Sequence, residues 1–327
     1  MSELIIGVDL GGTRIRAARF DKHLNILERV ETLTLAEDGL EATLERIKGE
    51  VRKVLPDDGT PVAGIGVSAP GPLNPDTGII VRPPNLPGWE DVPLAPILQK
   101  EFKVPVYLGN DANLAALAEV ARGVAYGAKH AIYITVSTGI GSGIIIDGRM
   151  LLGREGLAAE AGHMVMLVGE RVSTLETEAA GPDMARQAVE RIKAGEKSLI
   201  SEFVHGDLDE VKGSTVGQAA QAGDKLAREI VTRTGMLVGL GIVNLLHLFN
   251  PEIIVIGGGV TNSGEMMFKP MREAIQKYAI DDAYWRDLRI ESPALGEDVS
   301  LVGAAVLVAT NGGQERIDDV LARLNAP

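Results

Sequence analysis

A short apolar strand that must reverse through glycine occurs twice in this chain, and that recurrence constrains the fold more than any other feature. Leu4 to Leu10 and Ile15 to Phe20 read as strands joined by Gly11-Gly12. Ile132 to Val136 and Ile144 to Ile146 flank the glycine-rich run Ser137-Thr138-Gly139-Ile140-Gly141-Ser142-Gly143 in the same way. One such hairpin fits many folds, whereas two of them, each leading into helices and further strands, imply two α/β lobes. The first lobe continues with a strand over Ile26 to Leu35, a helix over Leu40 to Leu55, and buried strands over Val62 to Ser68 and Val104 to Leu108. An Ala-rich helix over Ala112 to Ala121, entered through Asn110-Asp111, follows. The second lobe is mainly helical from about Leu175 to Phe249, after which the strand Ile253 to Ile256 ends in Gly257-Gly258-Gly259. The apolar, small-residue helix over Leu301 to Thr310 and the tail are expected to return to the first lobe. The expected division is a small lobe of residues 1–113 completed by about 302–327, and a large lobe of residues 114–301. A length of 327 residues agrees, at roughly 150 residues per domain.

Composition excludes several functions. Lys plus Arg (32) against Asp plus Glu (45) gives a net charge of −13, which repels a phosphate backbone and an anionic membrane, so neither nucleic acid nor membrane is an expected partner. With no Cys and only five His, disulfides and thiolate metal sites are impossible, and no zinc is expected. The start of the chain lacks the basic and apolar regions of a signal peptide, so a cytoplasmic location is expected. The apolar stretch Met236 to Phe249 is broken by Asn244 and His247 and is shorter than the about 20 residues a bilayer needs, so it reads as a buried helix.

The glycine turns offer chemistry. In Asp9-Leu10-Gly11-Gly12-Thr13-Arg14 the positive-φ tolerance of glycine would let consecutive N–H groups face one anion, with Thr13 and Arg14 adding a hydroxyl and a positive charge. Asp9 could hold Mg²⁺ through water, because Mg²⁺ sheds its hydration shell reluctantly. Paired glycines are equally ordinary hairpin chemistry. Thr138 and Gly139 repeat the offer in the second hairpin. Gly257, Gly258 and Gly259 would let a flat ring approach the backbone, although close helix–strand packing explains a glycine run too. No Walker A lysine pattern and no dinucleotide G-x-G-x-x-G fingerprint is present.

Taken in order, Asp9-Leu10-Gly11-Gly12-Thr13, Ala69-Pro70-Gly71-Pro72-Leu73, Pro84-Asn85-Leu86-Pro87-Gly88-Trp89, Asn110-Asp111-Ala112-Asn113 and Ala161-Gly162-His163-Met164 resemble the ROK group of sugar kinases, glucokinases in particular. The resemblance implies an α/β fold of the two-lobed actin-like, ribonuclease-H-like (ASKHA) type with the active site in the interdomain cleft, ATP with Mg²⁺, a hexose acceptor and a homodimer. Carried over by position, Asp111 is the catalytic base. Asn110, Glu160, His163 and Glu176 bind sugar hydroxyls, as does Asn85 on its proline-rich loop, and Gly71 approaches the sugar through its backbone. ATP falls to Asp9, Gly11, Gly12, Thr13, Arg14, Thr138, Gly139 and Gly257 to Gly259.

The residue chemistry agrees with the base. Phosphoryl transfer has a loose transition state, so an ordinary ionised Asp that orients the hydroxyl and takes its proton late is sufficient. Capping of the Ala112 helix is the competing role for Asp111. Glu160 and His163 share a face if their segment is helical. The departure from the family lies after His163, where a Cys-rich zinc knuckle is replaced by a shorter, Cys-free loop. Leu175-Glu176 matches the end of the family's motif, with Glu178 the close competitor, and what orients the histidine in place of zinc is left open. The expected activity is ATP-dependent phosphorylation of a hexose 6-hydroxyl, glucose first. The alternatives are kinases for fructose, mannose or an N-acetylhexosamine, a non-catalytic sugar-sensing ROK module, and an actin-like ATPase. The sensor would need an N-terminal extension for which a phosphate turn at Asp9 leaves no expected room.

Overall fold

The structure is a computed structural model that describes residues 3–324. Along the chain run β1 (Leu4–Leu10), β2 (Arg14–Phe20), β3 (Ile26–Leu33), α1 (Leu40–Val54), β4 (Val62–Ala69), the short pair β5 (Leu73–Asn74) and β6 (Ile79–Ile80), α2 (Leu94–Phe102), β7 (Val106–Asn110) and α3 (Asp111–Arg122). Then come β8 (Ala131–Val136), β9 (Ile140–Ile146), β10 (Arg149–Met150), β11 (Val165–Val168), β12 (Arg171–Thr174), α4 (Leu175–Ala179), α5 (Gly181–Lys193), α6 (Ile200–Phe203), α7 (Gly213–Gln221) and α8 (Lys225–Phe249). The chain closes with β13 (Ile253–Gly257), α9 (Glu265–Tyr278), β14 (Arg289–Glu291), α10 (Val299–Ala309) and α11 (Ile317–Leu324).

Two compact units are present. The first holds the described residues up to Ile132, Gly143–Ala159 and those from Pro293 onward; the second holds Tyr133–Ser142 and Glu160–Ser292. The units therefore do not divide at residue 113, and the return to the first begins at Pro293 rather than near 302. The cause is α3, which packs on α10: a Cβ added at Gly303 would fall 2.1 Å from the Leu114 carbonyl oxygen. The Glu119 carboxylate of α3 reinforces the seam, accepting the Ala294 N–H at 3.1 Å and the Leu295 N–H at 3.4 Å. Residues 1, 2 and 325–327 of the expected small lobe lie outside the described residues.

The first unit is built on a sheet of order β3-β2-β1-β4-β7. The chain enters as the antiparallel meander β1-β2-β3, and β4 and β7 add parallel to β1. Parallel strands covered on both faces read as continuous apolar runs, and Ile6, Val8, Ile65 and Val67 are fully buried. Helix α1 covers the sheet with Leu44, Ile47, Val51 and Val54, the alternating three- and four-residue spacing of an amphipathic stripe. Helix α10 lies so close to the strands that a Cβ at Gly66 would sit 1.9 Å from the Ala304 carbonyl oxygen.

A second sheet runs β10-β9-β8-β13-β14, with β13 and β14 parallel. In the second unit α8 packs on α9 through glycine, since a Cβ at Gly239 would stand 2.5 Å from the Met271 carbonyl oxygen. Helix α8 runs for 25 residues, well beyond the apolar stretch that suggested it, and is long and apolar enough to cross a membrane. Asp224 starts it early by accepting the Ala227 N–H at 2.8 Å. Two thirds of its most apolar window is buried inside the protein, as a core helix requires.

Candidate active site

Three neighbouring parallel strands, β1, β4 and β7, end at the same edge of the first sheet, with Asp9 paired to Ser68 and Ala69 to Asn110. Ligands of open α/β sheets bind beyond the carboxyl ends of such strands. The chain delivers Asp9 and the Gly11-Gly12 turn at the end of β1, Gly71 just beyond β4, and Asn110-Asp111 at the end of β7. At about 4.8 Å between strands, these groups span one small-molecule width.

Local structure explains each placement. Asn110, not Asp111, caps α3: its Oδ1 accepts the Asn113 N–H at 2.7 Å. Asp111 is the first helical residue and its Oδ1 accepts the Ala112 N–H at 2.8 Å. The capping role considered for Asp111 thus belongs to its neighbour, and the Asp111 carboxylate stays open to solvent in the favourable field of a helix N-terminus. The Gly11-Gly12 turn differs from expectation. Neither glycine has a positive φ. Gly11 uses its N–H to close the turn on the Arg14 carbonyl at 2.9 Å, so only Gly12 and Thr13 are left to face an anion. Space is what demands glycine here, because a Cβ at Gly12 would fall 3.0 Å from the Cβ of Asn85. Asn85 is exposed on a loop whose Leu86 and Trp89 are buried in the core beneath. Arg14 is paired with Glu31 on β3.

The electrostatics converge on the two aspartates. Burial raises the Asp9 pKa to about 6, and the Asp111 carboxylate adds to that rise. Arg16, at 3.8 Å, and the Ser300 hydroxyl oppose it. Asp111 is likewise raised by the protein crowded around it, against the pull of the backbone N–H groups of Ala112 and its own residue. Two like charges held together in this way call for a cation or a proton.

In the second unit Ile140 is the hub. Its N–H donates to Glu176 Oε2 at 2.8 Å, and its carbonyl lies where a Cβ at Gly162 would come within 2.1 Å. Residues Ala161–His163 form a 3₁₀ turn, not a longer helix, with the His163 N–H bonded to the Glu160 carbonyl at 3.0 Å. The Glu176 carboxylate and the backbone of the Glu160–His163 turn therefore both meet the first residue of β9, which follows Thr138 and Gly139. A Cβ at Gly139 would fall 2.6 Å from Glu176 Oε2, the second case of a turn glycine pressed against a candidate sugar ligand. Glu178 points elsewhere: its side chain is fully covered and paired with Arg171 and Arg233.

A cavity of about 430 Å³ opens beside this turn, lined among others by Ser137, Thr138, Pro182, Val211, Gly213 and Gly259. Its size and mixed lining suit a small organic ligand. The sequence reading missed the lining from Gly181 and Pro182 and from Val211 to Ser214, which comes from two helix starts with no glycine motif. Gly181 is recognisable in hindsight: its N–H holds the turn through the Ser137 carbonyl at 2.7 Å. The glycine run after β13 divides. Gly259 lines the cavity, Gly257 is a buried residue of β13, and Gly258 has φ +95° with its Cβ position 2.3 Å from the Val136 carbonyl oxygen, which is the packing role.

Zinc requires converging His, Cys or carboxylate donors. The chain has no Cys, and among the described residues no group of three or more His, Asp and Glu is disposed to hold an ion. The segment after His163 does not fit a zinc site. It is instead the hairpin β11-β12.

Known proteins resemble this chain along most of its length. The chain is 34% identical over 311 residues to the glucokinase of Thermotoga maritima, covering 93% of this chain and 96% of that one. It is 30% identical over 318 residues to the xylose repressor of Caldicellulosiruptor bescii, covering 94% of this chain and 78% of that one. The solved structure of a ROK family glucokinase from Streptomyces griseus in complex with glucose and AMPPNP matches with a TM-score of 0.74 at 31% identity, covering 93% of this chain and 98% of that one. The family's profile matches residues 5–311, and with both glycine turns and the Asn110-Asp111 helix start inside that span, the chain belongs to the ROK family.

Proposed function

We propose that this protein is an ATP-dependent hexose kinase that phosphorylates the 6-hydroxyl of glucose, with Asp111 as the catalytic base. The observation that carries the reading is the shared edge of β1, β4 and β7, where a phosphate-type turn and an accessible carboxylate at a helix start stand together in one unit. Asn85, Asn110 and the Gly71 backbone from the first unit, and Glu160, His163 and Glu176 from the second, orient the sugar. Gly12, Thr13, Thr138 and Gly139 face the phosphates, and the cavity lined by Gly259 takes the nucleoside. Asp111 accepts the sugar hydroxyl proton as the bond to phosphorus forms, which an ionised carboxylate can do without a strongly raised pKa. The paired charges of Asp9 and Asp111 fit a cation held chiefly by phosphate and water, so Asp9 would carry Mg²⁺ through water and Mg²⁺ would neutralise charge on the transferred group. A cytoplasmic homodimer with no nucleic-acid or membrane partner completes the reading, supported by the resemblance and by the net charge of −13.

A panel of glucose, fructose, mannose and N-acetylhexosamines with ATP and Mg²⁺, read by ADP release, tests it. Glucose-dependent ADP release is expected. The similarity to a xylose repressor keeps one rival, a sugar sensor, which would bind sugar and release no ADP. ADP release that ignores sugar would mark an ATPase instead.

A further inference from the structure

The two candidate sugar ligands His163 and Glu176 flank the base of one hairpin. The strands β11 and β12 pair in register from Val165 opposite Thr174 to Val168 opposite Arg171. The base is closed by the Leu175 N–H donating to the Met164 carbonyl at 3.0 Å. His163 is the residue before that bond and Glu176 the residue after it, so whatever fixes the hairpin base fixes both side chains together.

A two-stranded hairpin is marginal alone, and this one turns apolar side chains outward, with Val165, Leu167 and Val172 about 70% exposed. Its anchorage comes from Glu178 on α4. Arg171 of β12 pairs with Glu178 Oε1. Arg233 of α8 donates to Glu178 Oε2 at 2.6 Å and to the Glu178 carbonyl oxygen at 2.9 Å, and lies 3.5 Å from Asp183. Arg233 thus grips the main chain and the side chain at the end of α4, and Arg171 ties the hairpin to the same carboxylate. Beneath it Leu175 is buried against α8, where a Cβ at Gly241 would come 2.5 Å from Leu175 Cδ2. The Glu178 side chain is fully covered, but by a shallow layer, since Arg171 lying over it is 57% exposed. Burial disfavours its charge, yet the Ser173 hydroxyl and the guanidinium groups of Arg233 and Arg171 outweigh that and hold its pKa low.

We infer that Glu178, with Arg171 and Arg233, is the positioning element for His163 and Glu176, an ion-paired clamp on a hairpin that has no Cys to bind a metal. The inference rests on the sugar-binding roles proposed above for those two residues. Losing either guanidinium group leaves the covered carboxylate with less to offset its desolvation, and losing Arg171 also frees the hairpin from α4 while Arg233 still pairs with Glu178. The consequence at the site is geometric, since ligands displaced by an ångström lose much of their effect.

The test uses Arg171→Met, whose exposed position leaves the fold intact, beside Glu178→Gln and the partial restoration Arg171→Lys. Steady-state kinetics with glucose and MgATP and amide exchange without ligands are measured on each. Expected in Arg171→Met and Glu178→Gln are a rise of about tenfold in the glucose KM with the ATP KM changed far less. Faster exchange is expected across residues 161–176 but not in α7, with Arg171→Lys in between. Exchange over 161–176 and a glucose KM both unchanged from wild type would overturn the clamp. So would equal rises in both KM values with faster exchange throughout the unit, which would mark general loosening. A wild-type protein that phosphorylates no hexose would instead sink the kinase reading, and the exchange comparison would still decide whether the hairpin is anchored in this way.

Discussion

At the residue scale the turn glycines carry more than their conformational freedom. Gly12 lies against Asn85 and Gly139 against Glu176, so in each unit a turn proposed to face phosphate is in contact with a side chain proposed to bind sugar. Gly139→Ala would drive its methyl into the Glu176 carboxylate, and the expected outcome is a glucose KM raised about tenfold or more, measured beside an ATP KM. A mutation in a purely nucleotide-binding turn would raise the ATP value alone. Asp9 makes a second prediction. Its folded-state pKa of about 6 lies above the ordinary 3.8, so the native state binds the extra proton between those values. Its contribution to stability is lost as pH rises through about 6. Asp9→Asn should therefore raise the Tm at pH 8 by roughly 3–6 °C and leave it unchanged near pH 3, in thermal melts without nucleotide. If the proposed Mg²⁺ role needs Asp9 ionised, kcat/KM for ATP should fall with a one-proton slope below about pH 6. A flat profile from pH 5 to 8 would contradict the role.

At the element scale, local signals and tertiary contacts divided the work. The strands β1, β2 and β4 and helix α1 were legible because apolar runs and stripes of the right period are written in the chain itself. The helix start at Asn110-Asp111 was legible too, though which residue caps it depends on side-chain direction. The hairpin β11-β12 was not legible, since Val165 to Val168 and Arg171 to Thr174 resemble a loop once the expected cysteines are missing, and the partner of Arg171 is seven residues away on a different element. The cavity beside Thr138 was only half legible for the same reason, since the starts of α5 and α7 form part of its walls. Trp89 shows what an anchor inside a loop does: it is 1% exposed in the first unit's core and carries the exposed Asn85 four residues before it. Trp89→Ala is expected to cost about 3–5 kcal/mol in denaturant unfolding and to raise the glucose KM, whereas Asn85→Ala should raise the KM with little loss of stability.

At the scale of the whole molecule, a ROK-family hexose kinase is built from one recurring device, a strand reversed through glycine and set against a polar ligand. Each unit holds its own version, the first with Asp9, Gly12, Asn85 and Asp111, the second with Gly139, Glu160, His163 and Glu176. The central claim concerns Asp111, and Asp111→Ala tests it most directly when glucose affinity by calorimetry and turnover by ADP release are measured on the same preparation. The account predicts a folded protein that binds glucose within a few-fold of wild type while kcat falls by about 10²–10⁴. Turnover reduced only a few-fold, with glucose still bound, would contradict it.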